Sequence, residues 1–336
     1  MVLLPLQSVQ SILQVVPSLK VLVIGDGMLD HYISGDAERI SPEAPVPVVS
    51  VDRETYHPGG ACNVALNAKS LGANVTFLGV VGTDEAGCTL QRLLKEADIG
   101  FCNENFRSDV QTIVKTRVIA RHQQLCRLDR EKKFSEASVA AVIAQAEAFL
   151  QKNAVSAVLV SDYAKGTVTQ ALLDKLVELK KHYSFFLAVD PKPKNKLCYN
   201  GVDLLKPNRT EALQLANFNT EPNQTFSSDA VAREILNRHS VRYLTVTLGE
   251  QGVALAENGG SIQTAPAVAK EVFDVSGAGD TALAALAIAF CAHHTPSEAI
   301  AFANLLSGIV IRKVGTAVTT PEEILAYASK TLGSVS

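Results

Sequence analysis

Short apolar, β-branched runs separated by helical patterns constrain this chain more than any other feature. Lys20-Val-Leu-Val-Ile-Gly25 is one such run, closed by glycine, and it suits a strand buried on both faces. Comparable runs recur at Val75–Val81, Ala157–Val160, Phe185–Val189, Val202–Leu205 and Tyr243–Thr247. Helical patterns fill most of the gaps, at Asn63–Leu71, Ala86–Lys95, Ser135–Gln151, Thr169–His182 and Asp229–Arg238. Strands alternating with helices make βαβ units. The expectation is an α/β fold with a central, mostly parallel sheet covered by helices on both faces. After Asp274 the pattern is helical to the end. Before the first strand, Leu6, Val9, Ile12, Leu13 and Val16 recur at helical spacing, so residues 1–19 read as an amphipathic helix ended by Pro17.

Two stretches break this rhythm. Residues 31–57 carry Pro42, Pro45 and Pro47 beside alternating Val46, Val48 and Val51, and residues 110–128 read as two strands, Gln111–Ala120 and Gln124–Leu128. Together they read as a small β-rich lid over the C-terminal edge of the main sheet, inserted into one domain spanning residues 1–336. A length of 336 residues with 47% apolar and 19% charged residues supports a large core and excludes disorder.

Charge narrows the partners. A net charge of −3 gives no reason to expect nucleic acid or an anionic membrane surface. No apolar run reaches the ~20 residues that span a bilayer, and the N-terminus lacks the pattern of a signal peptide. The six cysteines (Cys62, Cys88, Cys102, Cys126, Cys198 and Cys291) are scattered, which suits reduced thiols in a cytoplasmic protein. The histidines show no ligand spacing.

The strongest chemical motif is Asp274-Val-Ser-Gly-Ala-Gly-Asp280, with a helical pattern directly behind it. Small residues let the backbone approach a ligand. The helix start then offers free N–H groups and a positive dipole end to phosphate oxygens. The donors there are Gly277, Ala278 and Gly279. A carboxylate such as Asp280 beside a phosphate cradle needs a task. Accepting a proton from an attacking hydroxyl, or holding Mg²⁺, would be one. A second motif, Pro58-Gly59-Gly60-Ala-Cys-Asn63, offers close backbone approach at Gly59 and Gly60 and an amide at Asn63 that both donates and accepts, as a polyhydroxylated substrate requires. A third, Lys206-Pro-Asn208-Arg-Thr-Glu211, follows a strand, with Asn208 and Glu211 three apart at a helix start. A capping box explains that spacing equally well. Asp30 could grip sugar hydroxyls, Lys192 could meet a phosphate, and the turn Thr247-Leu-Gly249-Glu-Gln-Gly252 could touch a nucleotide. A substrate that already carries a phosphate needs a cationic pocket remote from the transferred group. The candidates are Arg39, Lys115, Arg117, Arg121 and Lys192, with Lys192 and Arg121 foremost.

Together these residues resemble the ribokinase-like (PfkB) family of sugar kinases. The spacing Gly59-Gly60…Asn63…Gly72…Gly82 resembles its first signature, Asp274–Asp280 its second, and Asn208-x-x-Glu211 its magnesium motif, over about Val21 to Val318. The resemblance implies a ribokinase-like fold with a β-lid and a phosphoryl donor, ATP. ATP would lie against Asn208, Arg209, Thr210, Glu211, Thr247, Gly249, Gly252 and Asn304, with Mg²⁺ held through water near Asn208 and Glu211. It also implies catalysis by Asp280, and a homodimer joined through the lid. A narrower resemblance, to the heptose 7-phosphate kinases of that family, rests on several segments. These are Gly25–Asp30, Arg39–Val48, Gln123–Asp129, Ser161-Asp-Tyr-Ala-Lys-Gly166 and Asp190-Pro-Lys192. It implies phosphorylation at C1 in ADP-heptose and lipopolysaccharide core synthesis. No H-x-G-H nucleotidyltransferase motif is present, so a stand-alone kinase is expected. The rivals are a family kinase for another sugar phosphate or a nucleoside, and a nucleotide-binding module without turnover. A Rossmann dehydrogenase is disfavoured, because Gly25-Asp-Gly27 is followed by Met-Leu-Asp rather than the rest of G-x-G-x-x-G.

Overall fold

The computed structural model describes residues 4–102, 106–121, 123–218, 227–268, 272–313 and 315–332. Residues 1–3 of the N-terminal helical pattern and residue 122 of the lid lie outside this set. The main sheet contains β1 (Lys20–Gly25), β4 (Asn74–Leu78), β6 (Gly100–Phe101), β10 (Ala157–Ser161), β11 (Phe186–Asp190), β12 (Leu204–Leu205), β13 (Tyr243–Thr247), β14 (Val253–Glu257) and β15 (Ile262–Ala265). Their order is β15-β14-β13-β12-β11-β10-β1-β4-β6. Pairing is parallel from β6 to β13, and the edge formed by β14 and β15 is antiparallel.

The strand side chains alternate between two cores, as the two-residue period of a strand requires. Val21 and Val23 join one cluster, with α1 (Leu6–Val15), α2 (Ala61–Ser70), α3 (Glu85–Glu96), α8 (Ala278–Cys291), α9 (Pro296–Val310) and α10 (Pro321–Leu332). Leu22 and Ile24 join the other, with α4 (Glu136–Lys152), α5 (Gln170–Lys180), α6 (Arg209–Leu215) and α7 (Ser228–Arg238). Helix α8 is buried from Asp280 to Ala289 because small apolar residues surround it on every side. It packs on β10 and β11 between α2 and α9, which places its N-terminus at the C-terminal ends of those strands. Open α/β sheets bind ligands at that edge.

The lid is a second sheet of order β3-β2-β8-β9, made of β2 (Gly27–Ile40), β3 (Pro47–Gly60), β8 (Ile113–Ala120) and β9 (Gln123–Arg130), while β5 (Val81–Gly82) and β7 (Phe106–Arg107) pair in a separate two-stranded parallel sheet. The lid's β2–β3 hairpin starts at Gly27, with only Asp26 between it and β1, and ends at Gly60, directly before α2, so the lid's root is continuous with the core. Strands β3 and β9 are its unpaired edges. Ile40 (64% exposed) and Leu128 (59%), with Val46 and Val51, leave an apolar surface on it.

Candidate active site

The turn before α8 is held by Asp274, whose carboxylate accepts the N–H groups of Ser276 (2.8 Å) and Gly315 (2.9 Å). Gly277 caps the helix in a left-handed conformation (φ +79°), and a Cβ there would lie 2.8 Å from Asn63 Nδ2. The turn it closes takes the N–H of Ala278, which donates to the Val275 carbonyl at 3.2 Å. Ala278 therefore does not present its N–H to a ligand as its position in the motif suggests. The cradle is left to Gly277, Gly279 and Asp280. The first-turn N–H groups of a helix have no carbonyl one turn back to bond.

Asp280 is 6% exposed. Its Oδ2 accepts from Asn63 Nδ2 and its Oδ1 from the Tyr163 hydroxyl, both at 2.6 Å. Burial pushes its carboxyl above the usual range; the two donors and the Lys206 ammonium oppose that, and the Asp30 carboxylate adds to it. Asn63 is fixed from α2. Asn67, one turn on, donates to the Asn63 carbonyl (2.8 Å) and accepts the Thr281 hydroxyl of α8 (2.7 Å). Tyr163 rides on the loop after β10, which hangs from the fully buried Asp26. One Asp26 oxygen accepts the N–H groups of Tyr163 (2.9 Å) and Lys165 (3.0 Å), the other that of Thr167 (2.9 Å).

Beside the cradle, Lys206 (2% exposed) pairs with Asp190 at 2.9 Å. A Cβ on Gly279 would lie 3.5 Å from the Lys206 ammonium, so this charge borders the α8 terminus. Burial pushes Asp190 up to about 7; Lys206 opposes the rise, and the Glu211 and Asp280 carboxylates reinforce it. A helix terminus with an adjacent ammonium suits an anion.

Next along the sheet edge, Asn208 and Glu211 form a reciprocal capping box. Asn208 Oδ1 accepts the Glu211 N–H (2.9 Å), and Glu211 Oε2 accepts the Asn208 N–H (3.0 Å). Glu211 Oε1 takes the Lys192 ammonium at 2.7 Å. Arg209 and Thr210 stand exposed on the same turn. Thr247 bridges to Asn208, and the turn with Gly249 and Gly252 follows it. Asn304 on α9 donates to the Pro266 carbonyl, close to Gly252. The nucleotide candidates thus share one side of the cleft. Among the described residues no cluster of three or more His, Cys, Asp or Glu could hold a metal ion. Asn208 and Glu211 are hard oxygen donors that suit Mg²⁺, and their existing bonds favour contact through its water shell.

The lid supplies the opposite wall. Asp30 on β2 is buried and accepts Arg117 Nη1 at 2.7 Å. Gly59 permits this position, because a Cβ there would lie 2.6 Å from Asp30 Oδ2. Gly60 closes β3 opposite Gly27. Two expectations are corrected here. Lys192 does not reach the lid side; it is drawn to Glu211, in the nucleotide group. Arg121 occupies the tip of the β8–β9 hairpin, 63% exposed, with Asp36 and Glu38. Strand β8 carries it past Lys115, the residue paired with Asp30, and six residues of strand span roughly 20 Å. Arg39 is likewise exposed. The cations near Asp30 are instead Arg117 and Lys115. Lys115 is half-buried and lies 3.7 Å from Asp129; Lys165 lies 2.5 Å from Glu131. Burial lowers the Lys115 amine and the positive charges of Lys165 and Arg127 lower it further, against Asp129 and Glu131.

Tyr163, Asp26, Asp190 and the buried Lys206 have no role in the sequence reading. Two signals point to them: each stands within three residues of the C-terminal end of an apolar run, and Asp26, Tyr163 and Asp190 fall in segments that carry the narrower family resemblance.

Residues 18–323 match the profile described as pfkB family carbohydrate kinase. The chain is 38% identical over 310 residues to the "Bifunctional protein HldE" of Sulfurimonas denitrificans, covering 92% of this chain and 64% of that protein. It is 42% identical over 312 residues to the protein of the same name from Halorhodospira halophila, covering 91% and 63%. The chain therefore spans less than two thirds of the length of these relatives. In fold it resembles phosphofructokinase-2 of Escherichia coli solved with substrates and products (TM-score 0.74, 18% identity, 94% of this chain and 99% of that one). It also resembles Arabidopsis thaliana ribokinase solved with ribose and ATP (TM-score 0.67, 18% identity, 92% and 98%).

Proposed function

The chain belongs to the pfkB family of carbohydrate kinases, phosphotransferases with an alcohol group as acceptor, and on that premise we propose that its acceptor is the anomeric hydroxyl of D-glycero-β-D-manno-heptose 7-phosphate. The donor is ATP, and the product is the 1,7-bisphosphate used in ADP-heptose and lipopolysaccharide core synthesis in the cytoplasm. The observation that carries the kinase chemistry is the buried Asp280 carboxylate, held by Asn63 and Tyr163 at the helix terminus and facing Asp30 of the lid. The narrower sugar rests on the segments quoted for it and on the bifunctional relatives.

In this reading Asp280 takes the proton of the C1 hydroxyl as that oxygen attacks phosphorus. Asp30, Asn63 and the backbone at Gly59 and Gly60 orient the sugar. The N–H groups of Gly277 and Gly279, with the Lys206 ammonium behind them, stabilise charge on the transferred group. Mg²⁺, when bound through water near Asn208 and Glu211, neutralises donor phosphate charge. Thr247, Gly249, Gly252 and Asn304, with Arg209 and Thr210, line the nucleotide side. Lys115 and Lys165 hold the distal phosphate, taking the place first given to Lys192 and Arg121. The lid excludes water and, through its apolar outer surface, joins two copies. Among the described residues no helix is long and apolar enough to cross a membrane.

The deciding experiment is a substrate panel with Mg-ATP: heptose 7-phosphate, unphosphorylated heptose, sedoheptulose 7-phosphate, fructose 6-phosphate and ribose. Heptose 7-phosphate should show the highest kcat/KM, and a higher value for any other sugar overturns this choice of substrate.

A further inference from the structure

We propose that Tyr163 is a positioning residue for the base, whose hydroxyl fixes the Asp280 carboxylate and keeps it ionised at neutral pH. This rests on Asp280 as the base. The groups that face Asp280 explain why such a donor is needed. From the lid strand β2 comes the Asp30 carboxylate, and from the end of β11 the Asp190 carboxylate. Both disfavour a third negative charge. From the end of β12 comes one ammonium, Lys206, already paired with Asp190 at 2.9 Å. From α2 comes the Asn63 amide, and from the loop after β10 the Tyr163 hydroxyl. Asp280 itself is buried, so little water solvates its carboxylate. A carboxylate so placed stays charged only if donors hold it, and a base must be unprotonated to accept a proton.

Of the two donors, Asn63 also faces the sugar in the proposed function. Tyr163 remains as the dedicated one. Its phenol is raised well above its ordinary value by burial and by Asp280 itself, so it stays a donor over the working pH range. Its backbone is tied to Asp26. Its neighbour Asp162 is tied by Ala164 N–H (2.7 Å) and by Asn195 Nδ2 on both oxygens (2.9 Å). An ionised carboxylate has about four lone-pair sites. Tyr163 and Asn63 use one on each oxygen, leaving acceptor capacity for the sugar hydroxyl.

The test compares wild type, Tyr163→Phe and the protein carrying 3-fluorotyrosine at position 163. The Asp280 carboxyl is titrated by ¹³C NMR in ligand-free protein labelled at aspartate, its signal assigned by its loss in Asp280→Asn. Tyr163→Phe should move the Asp280 midpoint to higher pH. Fluorotyrosine, a stronger donor of the same shape, should move it to lower pH. On the panel sugar that wild type phosphorylates fastest, Tyr163→Phe should lower kcat at pH 7 roughly ten- to hundredfold, the range for a hydrogen bond to a charged group. Activity should recover as pH rises, with the KM for ATP nearly unchanged. An unmoved Asp280 midpoint in the fluorotyrosine protein, or an equal kcat loss at every pH, overturns the proposal. If Tyr163→Phe does not fold, the fluorotyrosine titration decides alone. The titration needs no substrate, so it is independent of which sugar is phosphorylated, and turnover by Asp280→Asn tests the base separately.

Discussion

Asp280 sits at the end of a helix buried from that residue to Ala289, while Arg121, Asp36 and Glu38 meet on the lid with more than half of each side chain in water. The two walls of the cleft hold their charges differently. On the sheet side each polar group has fixed partners from distant elements: Asn63 from α2, Tyr163 from the loop tied to Asp26, Lys206 from just past the end of β12. On the lid side the ion pairs lie within one small sheet or bridge it to a loop, and they range from buried Asp30–Arg117 to solvated Arg121. Burial makes a charge expensive and therefore precisely placed; exposure makes it cheap and adaptable. The proposed reaction uses the first wall for chemistry and the second for choosing the sugar.

The largest expected effect is on the sheet wall. Asp280→Asn should keep the fold and lower kcat by ~10²–10⁴, the contribution of a positioned general base. Steady-state rates with the best panel sugar check this. Wild-type-like turnover would remove the difference between the walls.

The lid wall should show specificity instead. Lys115→Ala and Lys165→Ala should each weaken use of the phosphorylated sugar by about 1.5–3 kcal/mol in kcat/KM, the range for hydrogen bonds to charged groups. They should affect the unphosphorylated heptose little. Arg121→Ala, on the same sheet but solvated, should stay within about 0.5 kcal/mol on both. Equal losses on the two sugars would mean that Lys115 and Lys165 only brace the lid.

The lid's outer surface gives a smaller effect. Leu128→Glu, at a residue 59% exposed on edge strand β9, should weaken a lid-mediated homodimer by about 1–2 kcal/mol, the order of a central interface side chain. Sedimentation of wild type and variant measures this directly. A wild-type monomer at assay concentration rules out the dimer.

The same contrast explains what the sequence disclosed. Strands β1, β10, β11 and β13 were legible because both faces are buried, so their apolar runs are continuous. Strand β14 has the same kind of buried apolar run, Val253–Ala256, but its partner β15 is an edge strand carrying polar Gln263 and Thr264, so the antiparallel hairpin was not legible as a pair. The lid was legible as prolines and alternating valines, but its strands run on through His57 to Gly60, where the pattern is polar. Asp280 and Asn63 were legible because each adjoins a glycine turn. Tyr163 was not, because its role depends on Asp26, 137 residues away. Lys192 and Arg121 misled for one reason: sequence shows that a cation is near a strand end, but not which carboxylate captures it. Glu211 and the Asp36–Glu38 pair did so.

Glu211 gives the smallest and most discriminating prediction, because it belongs to both kinds of charge. It is 8% exposed, yet its partner Lys192 has a side chain 44% exposed, so the pair itself is worth ~0–1 kcal/mol. Glu211→Gln keeps an oxygen that can accept the Asn208 N–H, so the capping box survives and stability should fall by no more than ~1 kcal/mol. The same change removes the negative charge that the proposed Mg²⁺ water shell would meet. The Mg²⁺ concentration for half-maximal rate should therefore rise several-fold, a change of about 1 kcal/mol for one lost charge-assisted contact. Asn208→Ala is the complement: loss of the N-cap acceptor should cost ~1 kcal/mol in denaturant unfolding. If Glu211→Gln lowers the unfolding midpoint but leaves the Mg²⁺ titration where it was, Glu211 is a helix cap and the metal motif does not extend to it. If the titration shifts while the midpoint holds, the carboxylate serves the donor phosphates, and its contact with Lys192 is secondary to that.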